Sequence, residues 1–539
     1  MNRLSALDAG FLYLETPETP MNIGSVTIFA PTTASRDTIF QRFRDHTVAR
    51  LDLLPSYRRR LQMTPLGIDH PVWVDEEKLD LDYHIRRRAL PYPGSMEQLR
   101  SLIGELHMMP LDRARPLWQY HLIEALEGGG FAVYAKVHHA DMDGVSGIAT
   151  MSVVFDFSPD PAPVPATKAT GPAQKPNFVQ LMGNALRDFV GQDLRLVRAA
   201  PSFALALARV ARRTARTFRL LPDSLRLAPK TPFNVSISSE RSYGTASISL
   251  ADVKRIAKAR NATVNDVVLA ICAGALCRYL SARKALPRKP LIAAVPVSLR
   301  EPGHTELNNQ VAAVLCSLAT DVADPLQRLA AIAASAEDSK RRFFDIRDIW
   351  PSDISFFGAP VLVTGLARLA AYTRISGILP NVMNLWISSI PGPQQPMYCA
   401  GARALHYFPV SIPFHGLALE ITTQSYLDDI EFGLTACRAT VPDVQAIADD
   451  MIQELAVLKR ATDAISDAGA VEVIDIAAPA IAEQAPPREV GSRAARETVS
   501  LRPLPAAAIQ VEKHLPRRPR KPARSGGPIP TPSTKSKHD

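Results

Sequence analysis

Strand and helix signals alternate through two separate blocks of this 539-residue chain, which marks a mixed α/β protein. Apolar-alternating runs of strand length recur with turn residues between them. Helix starts are written as capping pairs, Ser249/Asp252 and Thr263/Asp266. A hydrophobic content of 46% supplies a large core to a chain too long for one ordinary domain. The blocks are residues 1–157 and 231–462, and no clear sequence repeat relates them.

In the first block LWQYHLIEAL alternates, EGGG turns, and FAVYAKV alternates again. That is a hairpin whose Phe131, Val133, Ala135 and Val137 share one face. Two histidines follow, and VSGIATMSVVFDF then reads as a helix. Residues 158–230 differ. SPDPAPVPATKATGPAQKP is a proline-rich linker, and the next stretch sets Leu, Val and Phe at helical spacing with arginines between them. Pro201 divides that stretch into two helices. Their apolar face fits either the protein body or an anionic membrane.

The second block opens with the two capped helices. Strands follow at PLIAAVPVSL, QVAAVLCSL and NLWISSI, then the hairpin LALEITTQSYLDDIEFGLTAC and a closing helix, PDVQAIADDMIQELAVLKRA. Residues 463–539 are rich in Pro, Ala, Arg and Lys and carry too little apolar surface to order themselves.

The net charge of +9 suits an anionic partner: nucleic acid, an acidic membrane surface or a phosphate-bearing substrate. With 6% aromatics, no zinc-finger spacing and no basic-aromatic groove, nucleic acid is the poorest fit. The five cysteines form no CxxC pair and lie in apolar runs, as buried thiols of a reducing compartment do. Asp8 and Glu15 interrupt the amino-terminal apolar run, unlike a signal peptide. No uncharged apolar run reaches the ~18 residues of a membrane span, GAPVLVTGLARLAAYTR coming nearest. The expectation is a cytoplasmic protein that touches a membrane or lipid-droplet surface without crossing it.

The chemistry concentrates in KVHHADMDGVSG, Lys136–Gly147. Adjacent histidines leave a strand on opposite faces and rarely converge on one ion, so a metal site is not expected. The same divergence lets one imidazole face an interior while the other packs behind it. Asp143, four residues after His139, can return to orient the turn, with Arg58, Arg59 or Arg60 as the source of its partner. Gly144 permits close backbone approach. An imidazole presented on a strand end suits general-base catalysis, because histidine titrates near neutral pH. There is no GxSxG elbow, and no cysteine lies near the motif, so His139 would take the proton of an acceptor hydroxyl or amine that attacks an acyl donor directly.

HHADMDG resembles the HHxxxDG motif of the superfamily that includes chloramphenicol acetyltransferase and peptide-synthetase condensation domains. LSALDAGFLYLETPETPMNIGS, RPLWQYHLIE, TPFNVSIS, ATVNDVVLAICAGALCRYL, VPVSLR, SSIPGP and ITTQSYLDDIEFGL, in that order, resemble the bacterial wax ester synthase/diacylglycerol acyltransferases over roughly residues 4–455. The resemblance implies two chloramphenicol-acetyltransferase-like halves with a tunnel between them. It also implies acyl transfer from acyl-coenzyme A to diacylglycerol or a long-chain alcohol, with no further cofactor. It makes His139 the base, His138 its support and Asp143 an orienting group. The Pro-Leu-Trp and Asn-Asp motifs fall on Pro116, Leu117, Trp118, Asn265 and Asp266, as substrate-binding candidates. A strand-seeding role for the first set and a helix cap at Asp266 explain them equally without substrate. Asp428 and Cys437 depart from the family's usual glycine and aspartate. Two other readings stay open: a condensation-type enzyme fed by a carrier protein, and a non-catalytic lipid-surface protein of the same fold.

Overall fold

The EGGG turn places Gly128 and Gly129 at φ of +81° and +85°, where side chains are strained, and so closes the hairpin of β6 (Trp118–Glu124) and β7 (Phe131–His138). The computed structural model describes residues 2–65, 69–142, 144–160, 228–298, 311–347 and 381–471, with single positions 178, 180 and 183. All of them belong to one unit, Met1–Ile474. The proline-rich linker after Asp160, nearly all of the basic helical stretch, the tail beyond residue 471 and Asp143 lie outside the described residues.

Strand β2 (Asn22–Phe29) pairs antiparallel with β7, and β5 (Ile85–Ala89) pairs parallel with β6. The sheet is completed from the second block. There β12 (Tyr398–Cys399) and β13 (Ala402–Val410) give the order β12-β13-β2-β7-β6-β5. Alternation decides its two faces. Phe29, Phe131, Val133 and Val137 pack with α2 (Arg36–Arg50) and α5 (Gly144–Val154). Val26, Ile28, Ala132 and Tyr134 pack with α4 (Met96–Met108). The one-turn helix α3 (Leu81–His84) leads into β5. A small sheet of β1 (Asn2–Arg3), β4 (Val72–Asp75) and β3 (Arg59–Gln62) flanks α1 (Ala6–Leu14).

The second sheet runs β10-β9-β11-β14-β15-β8. Its strands are β8 (Arg241–Ser249), β9 (Ile292–Ser298), β10 (Val311–Ser317), β11 (Leu385–Ile390), β14 (Leu419–Tyr426) and β15 (Asp429–Cys437). One face buries Ile248, Ile387, Ile421, Phe432 and Leu434 against α6 (Leu250–Ala259), α7 (Val264–Ala282), α8 (Pro325–Arg347) and α9 (Val444–Val471). Thr263 and Asp266 form the expected capping box at the start of α7. The box expected at Ser249 is only half made. Ser249 accepts from Asp252 N, but the Asp252 carboxylate turns to Lys459, 2.6 Å away. Among the described residues one helix, α7, is long and apolar enough to cross a membrane, and the stretch around Arg368 lies outside those residues. Most of α7 is buried in the core, so its composition is that of a core helix.

The two lobes meet at glycines. A Cβ on Gly433 of β15 would lie 1.7 Å from Pro409 O of β13, which also accepts from the buried Tyr243 hydroxyl at 2.8 Å. A Cβ on Gly104 of α4 would lie 2.6 Å from Arg241 O of β8.

Candidate active site

The site is built on the end of β7. His138 N donates to Leu117 O at 3.0 Å and His139 N to Met21 O at 2.8 Å, so the neighbouring segments on either side fix both backbones. The side chains diverge as strand geometry requires. His138 is fully buried, and its Nδ1 accepts from Ala140 N at 3.0 Å. An Nδ1 that accepts leaves the proton of the neutral ring on Nε2. That nitrogen faces Glu15 Oε2 at 3.7 Å, a contact longer than a hydrogen bond. Glu15, the C-cap of α1, accepts Arg113 Nε at 2.7 Å and a second bond from Arg113 Nη2. Burial works to raise the Glu15 carboxyl, but His138 and Arg113 together hold it below the usual carboxylate range.

His139 is only half-buried. Its ring lies flat on Phe11 of α1, centroids 4.0 Å apart and planes 11° from parallel. Phe11 thus fixes the plane of one imidazole while Ala140 and Glu15 immobilise the other.

The arginine run reaches the motif at Asp141, and the expected contact with Asp143 falls on a residue outside the described ones. Arg59 donates to Asp141 Oδ1 from Nε at 3.1 Å and from Nη2 at 2.7 Å, and its guanidinium lies 4.3 Å over the Trp73 ring. Arg60 pairs with Glu76 and Arg58 with Asp52. Burial pushes the Asp141 carboxyl up in spite of Arg59. Asp143 lies outside the described residues, as do the side chain surroundings of Gly144, which opens α5.

Pro116 and Leu117 lead into β6, which Trp118 opens, and the three brace the site. Trp118 is buried between Tyr57 and His84, stacked at 4.5 and 4.3 Å, and its Nε1 donates to Tyr57 O at 3.0 Å. Leu117 supplies the carbonyl that holds His138. Asp266 Oδ2 accepts from Thr263 N and Oγ1, the cap that explains it without substrate. Asn265 is half-buried beside that cap, in the other lobe, and no hydrogen bond joins it to the histidine turn among the described residues. In SSIPGP a Cβ on Gly392 would meet Ser425 O at 1.8 Å, so this turn needs glycine for a close approach. Cys437 fits the donors around it. Its thiol, which burial would raise, is held below its ordinary value by bonds from Ser238 and around Thr440. Leu427, beside Asp428, takes a φ of +52°.

Sequence reasoning missed Phe11, Glu15, Arg113 and the Arg59–Asp141 pair. Phe11 and Glu15 lie inside LSALDAGFLYLE, where the family resemblance was visible but nothing in the spacing told which residues reach the histidines.

Residues 4–268 match the wax ester synthase/diacylglycerol acyltransferase catalytic domain, and residues 307–459 match the C-terminal domain of the same family. A protein of Mycobacterium tuberculosis described as a probable diacylglycerol O-acyltransferase is 36% identical over 469 residues, covering 86% of this chain and 99% of the relative. The solved wax ester synthase/diacylglycerol acyltransferase of Marinobacter aquaeolei VT8 is 30% identical with a TM-score of 0.62, covering 86% of this chain and all of that one. A starter condensation domain of rhizomide synthetase shares the fold at 12% identity, with a TM-score of 0.51 and coverage of 86% and 94%. With both domains of the family matched in order along the chain and such identity along nearly the whole length of a relative, this chain belongs to the wax ester synthase/diacylglycerol acyltransferase family.

Proposed function

We propose that this protein moves a fatty acyl group from acyl-coenzyme A to the hydroxyl of diacylglycerol or of a long-chain alcohol, with His139 as the general base. The observation that carries this reading is the division of labour at the motif: His138 locked and buried, His139 held flat on Phe11 and half-open. His139 takes the hydroxyl proton as the oxygen attacks the thioester carbonyl. The tetrahedral intermediate collapses, the carbon–sulfur bond breaks, and the same imidazole returns the proton to the departing thiolate. A thioester needs little activation, so a base, positioning and exclusion of water suffice. In this reading Asp143 orients the turn and Gly144 lets its backbone close. Asn265, Asp266 and the Pro-Leu-Trp strand shape the site from behind.

The acceptors are water-insoluble, and the net charge of +9 supports a peripheral contact with an anionic membrane or droplet surface on the cytoplasmic side. Labelled acyl-coenzyme A offered with mixed alcohols and diacylglycerol, with products separated by class, tests the function. Triacylglycerol or wax ester is the expected product. Transfer from an acyl-carrier protein but not from acyl-coenzyme A would overturn it. Flotation with anionic and with neutral vesicles tests the surface contact, which predicts recovery with the anionic ones alone.

A further inference from the structure

Lys136 stands two residues before His138 on the same face of β7, and it is buried. A buried lysine in a strand demands a reason, because an ammonium costs free energy to dehydrate. The reason lies at the end of α4. Lys136 Nζ donates to Leu106 O and to Met109 O, each at 3.0 Å. These carbonyls belong to the last turn and cap of the helix, where no intrahelical donor remains and the helix dipole is negative. Asn22, directly opposite His138 on β2, completes the cap. Its Nδ2 donates to Met109 O at 2.9 Å and to His107 O at 3.4 Å.

Two side chains flanking His138 therefore grip one helix end, and the chain leaving that end is the one that supplies Arg113. Arg113 in turn holds Glu15 against His138. We propose that Lys136 is a positioning residue for acyl transfer: it locks the end of α4 to the strand bearing the histidines and so sets the Arg113–Glu15–His138 array behind the base.

The groups that face Lys136 are cationic or neutral. Arg86 lies on β5, His121 on β6, and Tyr134 and His107 form a bonded pair between β7 and α4. His107 Nε2 donates across to Ser411 O at 2.9 Å, and Arg241 of β8 lies beyond. No carboxylate pairs with Lys136 among the described residues. The carbonyls of α4 are thus its counter-dipole, and among the described residues that helix end is what calls for an ammonium there. Burial, with Arg86 adding to it, lowers the Lys136 ammonium to about 7. Its neutral amine still has two protons for the two carbonyls, so the grip persists through neutrality.

The inference rests on His139 as the base, and the test separates the two. Lys136→Met, Glu15→Gln, their double variant and His139→Ala are assayed for kcat, for the KM of acyl-coenzyme A and for melting temperature. Lys136→Met should lower kcat about 10- to 100-fold with KM within about twofold, a split that general loss of structure does not produce. The double variant should fall little below the worse single one, because both changes disturb the same array. Effects that multiply, or a Lys136→Met kcat within about twofold of wild type, would overturn the proposal. If Lys136→Met fails to fold, Asn22→Ser keeps the lysine and removes the second grip. It must then show the same loss confined to kcat, and a folded Asn22→Ser with normal kcat overturns the proposal. Activity in His139→Ala would remove the assigned base, whereas a normal Lys136→Met beside an inactive His139→Ala would remove the positioning role alone.

Discussion

Arg59→Met breaks both hydrogen bonds of the Arg59–Asp141 pair, whereas Asp141→Asn keeps an Oδ1 that still accepts them, so the costs should be unequal. Asp141 is buried, and Oδ2 has no hydrogen-bond partner among the described residues, whereas the Arg59 side chain keeps about a quarter of its exposure. Arg59→Met leaves an uncompensated carboxylate inside the protein, a change of about 3–5 kcal/mol. Asp141→Asn keeps the Oδ1 acceptor for Arg59 over Trp73 and removes the buried charge, but puts an amide donor where Oδ2 had no partner, so about 1–2 kcal/mol is expected. Acid should separate the variants further. Burial holds the Asp141 carboxyl above its ordinary 3.8, so just above that value the folded state binds more protons than the unfolded one. The contribution of this group to stability therefore falls as pH rises through that window. Without Arg59 the window extends upward, and the deficit of Arg59→Met should shrink on mild acidification while that of Asp141→Asn does not. Urea unfolding of both variants and the double, at neutral and mildly acidic pH, reads this directly. Equal losses in the two single variants, or an Arg59→Met deficit that grows in acid, would refute the reasoning.

Lys136 gives a second pH signature: unfolded it keeps its proton to an ordinary 10.5, folded only to about 7, so stability rises with pH between the two. The melting temperature of wild type relative to Lys136→Met should therefore climb on the alkaline side of neutrality, and a flat difference would count against it. Gly433→Ala should fail to accumulate folded or lose several degrees of melting temperature, because its methyl would enter Pro409 O where the lobes cross. A variant as stable as wild type would show that the crossing yields.

The elements that sequence made legible are those whose signals are local. The hairpin around EGGG, the Thr263 capping box and the closing strands can be read within a dozen residues. What was illegible is long-range. That β13 leaves the second block to pair with β2 depends on which sheet edge is open, and nothing in ARALHYFPV encodes its partner. The site shows the same limit. HHADMDG announces itself by composition, but Glu15 and Arg113 reach His138 from distant segments, and Arg59 chose Asp141 because β3 lies beside that carboxylate. Cys437 looked like a departure from family habit, and only its surrounding donors explain how a thiol can sit there.

The two histidines decide the central claim. Steady-state acyl transfer from acyl-coenzyme A is to be measured for His139→Ala and His138→Ala alongside their melting temperatures. His139→Ala should lose about 10²- to 10⁴-fold in kcat, the usual worth of a general base, with its fold intact. His138→Ala, which frees Ala140 N and the Glu15 array, should lose less rate and more stability. Near-normal turnover in His139→Ala would contradict the account at its root.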